Sequence, residues 1–394
     1  MELNKNSLVV LLVTFLAVIL PPLGNDIYFS SLPQMGADFN TSEISWVVSI
    51  YLIGFAFGQL FYGPLSQRYG RKPVLLAAIG SVALSCLVLF LTHSFAVFLL
   101  ARFVQAVGAC GTLSVVLAII RDSFSEKRVV KVTGWMFAIL GFIPALAPLL
   151  GSYIATVWHW RIDFLLLVVV ATAIFIGVAC LFTETMDEED QQPLNLTHVI
   201  RQYKALCGCL SYLGYALSAS FSYACFFLFL SSSPYLLIDQ FHLSKETYGL
   251  LIAINALGII VVGFLIPFLT KRFSVRQLVR FGSWLLVAGA FMMGLFYLLH
   301  LRNHVVYILL PSFVVFVGVG FIRPTASAGA LTSASKDIAG YASALFSFIA
   351  FAGGALFTPF GEYAGSSALH LSVFLMITAV LTTVFSYLSR DKVK

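Results

Sequence analysis

About twelve apolar stretches, each near the ~20 residues needed to cross ~30 Å of hydrocarbon, run through this chain with short polar connectors between them. Few folds are open to such a chain, because in lipid every backbone N–H and C=O must be satisfied within a helix or a closed barrel. The stretches fall at 8–31, 44–65, 74–92, 95–120, 129–156, 161–183, 206–231, 247–269, 278–300, 304–330, 338–360 and 367–389. Their length predicts an all-α membrane protein with 12 transmembrane helices. Composition agrees: 60% of residues are hydrophobic and 10% charged, where soluble domains carry roughly 25% charged residues. The first stretch has a single Lys ahead of it, lacks a small-residue cleavage site and runs on into Asn25-Asp26-Ile27-Tyr28, so it reads as a retained helix.

A net charge of +6 raises nucleic acid as a partner, and the placement of the 23 Lys and Arg argues against it. With the N-terminus inside, Arg161, Lys245 and Arg302 fall outside or at the outer surface and Arg102 and Arg323 within spans. All the others are cytoplasmic, which is the positive-inside pattern. The basic balance therefore reports topology. The six Cys lie in apolar stretches without C-x-x-C spacing, so neither a disulfide framework nor a zinc site is indicated. The His residues fall at outer span ends, apart from His198 in the central loop, and form no ligand cluster. No Walker motif or phosphate-cradling loop is present, so ATP is not the energy source and no cofactor is expected.

The longest polar interruption, Glu184 to Lys204, divides the spans six and six. The expected organisation is an N-terminal half at 1–185, a cytoplasmic linker at 186–205 and a C-terminal half at 206–394. The halves echo one another. Leu65-Ser66-Gln67-Arg68-Tyr69 recurs in type as Leu269-Thr270-Lys271-Arg272-Phe273, and Ala147-Pro148-Leu149-Leu150-Gly151 as Thr358-Pro359-Phe360-Gly361.

Charges inside spans carry the functional argument, since each costs about 2.5–3.5 kcal/mol on insertion scales unless it meets a cavity or a partner. Asp26 lies in the outer part of the first span and Arg102 about seven residues into the fourth. An Asp between water and a basic partner can load and release a proton. The other reading is that Asp26 ends its helix and that Arg102 braces two helices as a static ion pair. Arg323 stands in the tenth span with no carboxylate of the second half at matching depth. It either selects an anionic substrate or reaches the cytoplasmic surface with its long stem. Tyr51, Gln59, Gln105, Tyr215, Tyr223 and Asn255 put polar groups inside spans and are expected to line a substrate cavity with Arg323.

The connector Gly63-Pro64-Leu65-Ser66-Gln67-Arg68-Tyr69-Gly70-Arg71-Lys72-Pro73 resembles the signature loop between the second and third helices of major facilitator superfamily transporters. Gly63, Pro64, Gly70 and Pro73 supply turn chemistry, and Arg68, Arg71 and Lys72 hold the loop on the cytoplasmic side. That family usually has Asp where this chain has Gln67, a residue that can hydrogen-bond but cannot form an ion pair. Arg121 and Asp122, ending the fourth span, face this loop. The resemblance implies a cytoplasmic latch that is either weaker or carried by Asp122.

More specifically, the chain resembles the Bcr/CflA (bicyclomycin-resistance) branch of drug:proton antiporters. The series comprises Asp26-x-Tyr28, Leu32-Pro33, Ala37-Asp38, Trp160-Arg161, Glu184-Thr185, Ser233-Pro234-Tyr235 and Ala339-Gly340-x-Ala342-Ser343-Ala344. Arg102 to Ala109 resembles the fourth-helix motif, whose Arg takes part in proton coupling. Gly134, Pro148 and Gly151 match the fifth-helix antiporter motif, with Ala147 and Ser152 where glycines are usual.

The resemblance implies a monomeric, multi-pass exporter of the cell inner membrane with both termini cytoplasmic. It would exchange a small-molecule substrate for protons by alternating access. The competing readings are a dedicated exporter of an anionic metabolite such as a siderophore, favoured by Arg323, and a membrane enzyme. The second would need a nucleophile with a base, or a metal set, inside the bundle, and none is apparent.

Overall fold

The computed structural model describes residues 5–124, 126–186, 196–299, 304–334 and 338–389, and every regular element among them is helical. In chain order the helices are α1 (Lys5–Asp26), α2 (Leu32–Phe39), α3 (Trp46–Tyr69), α4 (Arg71–Leu91), α5 (Phe95–Ser123), α6 (Glu126–Val157), α7 (Arg161–Leu181) and α8 (Leu196–Cys207). They continue with α9 (Leu210–Pro234), α10 (Lys245–Leu269), α11 (Val275–Leu298), α12 (Val306–Ser333), α13 (Ala339–Phe357), α14 (Gly361–Gly365) and α15 (Ala368–Leu388). Eleven spans among the described residues are long and apolar enough to cross a membrane. The 32-residue α6, whose surroundings are described only in part, completes the twelve.

The crossing helices form two sets of six, α1 with α3–α7 and α9–α13 with α15. Within the first, α5 packs on α3 and α4, and α4 on α7; within the second, α11 packs on α12 and α15, and α9 on α13 and α15. The sets meet along α3 with α13 and α6 with α10. Serines cap the mouths of three second-set helices: Ser244 on α10, Ser274 on α11 with Gln277 returning the bond, and Ser367 on α15. One end of the bundle carries the α3–α4 turn at Gly70, the other the α2–α3 connection at Asn40; they are called the Gly70 end and the Asn40 end.

The eleven-residue connector expected at 63–73 is almost wholly helix. Gly63 and Pro64 lie inside α3, so they do not form the turn, and Pro73 belongs to the first turn of α4. Gly70 alone separates the helices, at φ +90, a conformation that disfavours any side chain. Pro64 is tolerated because neighbouring side chains meet backbone acceptors it leaves free in a membrane helix. Glu184 closes the corner, accepting from the backbone N–H groups of Arg71 (3.0 Å) and Lys72 (2.9 Å) at the positive N-terminus of α4.

Residues 187–195 of the expected linker lie outside the described residues. From Leu196 the chain forms α8, so the linker region is partly helix. Tyr203 of α8 donates to the Leu60 carbonyl at 3.3 Å and packs edge-on against Tyr341, touching both sets.

The two sequence echoes occupy equivalent places. Both Leu65–Tyr69 and Leu269–Phe273 end the second crossing of their set. Gly151 and Gly361 each lie on or just past the fifth crossing and press against the end of the first: a Cβ on Gly151 would overlap the Ile27 carbonyl, and one on Gly361 the Ser231 hydroxyl.

Candidate functional site

Asp26 is the last residue of α1 and is 5% exposed. Two consecutive prolines, Pro21 and Pro22, loosen the helix just before it, and a helix C-terminus leaves carbonyls without intrahelical partners. Arg102 of α5, fully buried, fills that vacancy. Its guanidinium donates to the Gly24 carbonyl (2.9 Å), the Gln105 side-chain carbonyl and the Tyr28 hydroxyl (2.7 Å). It also lies 4.4 Å from the ring centroids of both Tyr28 and Tyr51. Tyr51 in turn donates to the Pro21 carbonyl at 2.8 Å. A cation at the negative end of α1 is favoured by the helix dipole, and buried rings add cation–π attraction.

Asp26 stands beside this network and outside it. Its carboxylate accepts from Asn25 Nδ2 at 2.7 Å. Among the described residues, the ion pairs within 4.0 Å are Arg71 with Asp122 and His159 with Asp38, so Asp26 and Arg102 are not a contact pair. The static ion pair expected as one reading is therefore absent.

Arg323 belongs to α12 and is half-buried. Its guanidinium lies 4.3 Å from the Tyr223 ring centroid and 5.4 Å from that of Phe226. Tyr223 packs on Phe351 and Phe351 on Phe55 of α3, an aromatic path across the seam between the sets. Among the described residues no carboxylate lies within 4.0 Å of the Arg323 guanidinium.

Four of the expected cavity residues are buried between helices in this conformation. Tyr51 is 2% exposed, and Gln105, Tyr215 and Asn255 are each 1%. Tyr51 and Gln105 belong to the Arg102 network, with Gln105 also donating to Cys86 Sγ at 3.0 Å. Tyr215 lies against Gly329, and Asn255 accepts from Ser312 of α12 at 3.2 Å. Such side chains find polar partners between helices and need no water. Tyr223, Arg323 and Gln59 are the half-buried members of the set.

At the Gly70 end, Arg71 Nε donates to Asp122 Oδ2 at 2.8 Å and Arg71 also to Ser66 Oγ at 2.7 Å, joining α4 to α5 and α3. Gln67, Arg68 and Arg121 are exposed, with Arg68 over the Tyr69 ring. Gly63 has no side chain near it, Pro148 is buried in α6 with its carbonyl accepting from Ser152, and Gly151 packs on Ile27. The surroundings of Gly134 lie outside the described residues.

At the Asn40 end the sets are joined directly. Lys245 Nζ donates to Gln34 Oε1 at 2.7 Å, the Glu362 backbone N–H to Ser45 Oγ at 3.1 Å and Ser49 Oγ to the Ala355 carbonyl. A cavity of about 390 Å³ lies between them there, lined by Pro33, Asn40, Ser42, Tyr235, Asp239 and Glu362 among others. Two residues quoted only as motif members meet here: Trp160 Nε1 donates to Asp38 Oδ2 at 2.6 Å. Tyr28, Asp163 and Lys245 are functional candidates that sequence reasoning missed. For Tyr28 the signal was its place two residues after Asp26; for the others there was none beyond charge.

Two six-helix sets that meet along a seam and span a membrane have the architecture of a secondary transporter. The model of the Major Facilitator Superfamily matches residues 14–359, and the chain belongs to that superfamily of transporters, which are not enzymes. It is similar to the bicyclomycin resistance protein homolog of Haemophilus influenzae, with 28% identity over 99% of this chain and 97% of that protein. It is similar too to the multidrug transporter MdfA of Yersinia pestis bv. Antiqua, with 31% identity over 68% of this chain and 66% of that one. The resemblance to the bicyclomycin-resistance branch thus extends over the full length. Among solved structures, the D-xylose–proton symporter superposes with a TM-score of 0.77 at 15% identity, covering 96% of this chain and 98% of that one, a likeness of fold alone.

Proposed function

We propose that this transporter is a proton-coupled exporter of small organic molecules in the bacterial inner membrane, exchanging a cytoplasmic substrate for an incoming proton. The Gly70 end then faces the cytoplasm, where the basic residues gather. At the outer, Asn40 end the sets are joined by the Lys245–Gln34 and Glu362–Ser45 hydrogen bonds.

The observation that carries this reading is the position of Asp26: a buried carboxylate at the end of α1, beside the Arg102 network and without a contact cation. Such a group is neutral when protonated and paired at a distance when ionised, so its charge can change without unfolding the site. Arg102 is fixed by Tyr28 and Gly24 within the first half, so the cation stays in place while the carboxylate beside it loads and releases. A proton entering across ~100 mV and about half a pH unit supplies roughly 3 kcal/mol, enough for a gradient on the order of a hundredfold of a neutral substrate.

The names of the relatives, one for bicyclomycin resistance and one for multidrug transport, support a drug-like substrate. The anionic-metabolite reading rests on Arg323, and its guanidinium is occupied by the Tyr223 and Phe226 rings. Export is tested in liposomes with an imposed pH gradient and a panel of neutral, cationic and anionic aromatic compounds. Gradient-dependent movement of neutral or cationic members is expected; movement of anions alone would overturn this choice of substrate class.

A further inference from the structure

Arg276 and Arg280 stand one helical turn apart in the first two turns of α11, at the Gly70 end of the second set. Residues four apart share a helix face with their Cβ atoms about 5–6 Å from one another, so both guanidiniums can reach one anion that has several oxygens. Both side chains are half-buried, and the Nε of each is buried without a hydrogen-bond partner. The Arg280 guanidinium lies over the Tyr387 ring of α15, 4.0 Å from its centroid, which covers one face and leaves the N–H edge to be satisfied.

The protein offers these two cations no anion. Helices α9, α11, α12 and α15, which pack on one another, contain no Asp or Glu. The acids of the second set among the described residues, Asp239, Glu246 and Glu362, belong to the Asn40 end: Asp239 and Glu362 line its cavity, and Glu246 adjoins Lys245, which bonds Gln34 there. The 25-residue α10, about 37 Å long, separates that end from the start of α11. At the Gly70 end Asp122 is bonded to Arg71, and Glu184 to the first N–H groups of α4. Gln277 returns its side chain to Ser274 in the cap of α11. Among the described residues no carboxylate lies within 4.0 Å of either guanidinium.

Trp284 follows Arg280 by one more turn of the same face and is exposed, as are Val384 and Tyr387 on the neighbouring α15. In a membrane chain exposed apolar side chains meet acyl chains, and Trp and Tyr gather at headgroup depth. At 1.5 Å of rise per residue, Arg276 and Arg280 lie within about 10 Å of the mouth of α11, the depth of the headgroup region. An anion held there with apolar chains below it is a phospholipid; a soluble anion would leave the Trp284 and Val384 surface uncovered.

We propose that Arg276 and Arg280 hold the phosphate of an anionic phospholipid in the leaflet at the Gly70 end, its acyl chains lying over Trp284 and Val384 between α11 and α15. Guanidinium and phosphate oxygens pair through forked, charge-assisted hydrogen bonds. An anionic headgroup is preferred to a zwitterionic one, whose own cation competes for the phosphate. Because α11 and α15 belong to one set, the lipid stays seated whichever way the sets lean, and the site depends neither on the direction of transport nor on the coupled proton.

For the test, the full chain is reconstituted in phosphatidylcholine vesicles containing a rising fraction of brominated phosphatidylglycerol or, in parallel, of brominated phosphatidylcholine. Quenching of Trp284 is read as the difference between wild type and Trp284→Phe. Phosphatidylglycerol is expected to quench at a mole fraction about tenfold lower than phosphatidylcholine, the scale of one charge-assisted hydrogen bond. Arg276→Gln with Arg280→Gln is expected to bring the two lipids together, while Arg272→Gln, at an exposed cation of the same corner, is expected to keep them apart. Equal quenching by the two lipids in wild type would overturn the proposal, and this comparison holds even if the double variant does not fold. A preference that survives the double variant, or is lost equally in Arg272→Gln, would overturn it too. Excess inorganic phosphate is expected to leave the quenching unchanged; relief by phosphate alone would assign the two arginines to a free anion and refute the lipid.

Discussion

Arg102 donates to the hydroxyl of Tyr28 at 2.7 Å and makes no contact pair with Asp26, two residues earlier in the same turn. The buried cation is thus anchored by neutral groups, and the buried acid accepts from Asn25 beside it.

Tyr28→Phe should separate anchoring from coupling. It removes one hydrogen bond from a buried cation, costing about 1.5–3 kcal/mol, while the Gly24 and Gln105 bonds persist. Thermal unfolding in detergent should fall accordingly, with pH-gradient transport retained at a reduced rate. Loss of all coupling with unchanged stability would mean that Tyr28 belongs to the proton path.

Asp122→Asn and Gln67→Asp should behave differently, although the family pattern points to position 67. Arg71 already has Asp122 at 2.8 Å, and Gln67 is exposed. Losing the partly buried pair should cost about 1–2 kcal/mol, and adding an exposed carboxylate should change stability by less than about 1 kcal/mol. Cysteine accessibility at the Gly70 end reads both; a larger change from Gln67→Asp would assign the latch to that position.

Gly151→Ala should be severe for so small a change. The new Cβ would overlap the Ile27 carbonyl, so α6 must move away from the turn that carries Asp26. Overpacking of this kind costs about 1–3 kcal/mol. Reduced thermal stability together with lost transport is expected, whereas normal transport would show that the α1–α6 approach is not needed.

Much of the fold was legible because span length and charge placement are local properties. The rotation of each helix is not. Tyr51 and Gln105 look alike in sequence to Tyr223, since each is a polar group in an apolar span, yet the first two turn toward Arg102 and the third toward Arg323. The Gly63-Pro64 pair read as turn chemistry because glycine and proline punctuate soluble chains, but membrane helices tolerate both. Asp163 escaped notice because an acid in the first turn of a helix is ordinary. Only the absence of partners around its oxygens marks it out, and that is a tertiary fact.

The central claim is that Asp26 carries the coupled proton, and Asp26→Asn tests it most directly. Asn keeps size and polarity but cannot bind and release a proton. Wild type and variant are reconstituted in liposomes, an inward-directed pH gradient is imposed, and substrate movement is followed alongside exchange without a gradient. The variant is expected to fold, to bind substrate and to lose all gradient-driven accumulation; accumulation equal to wild type would contradict the account.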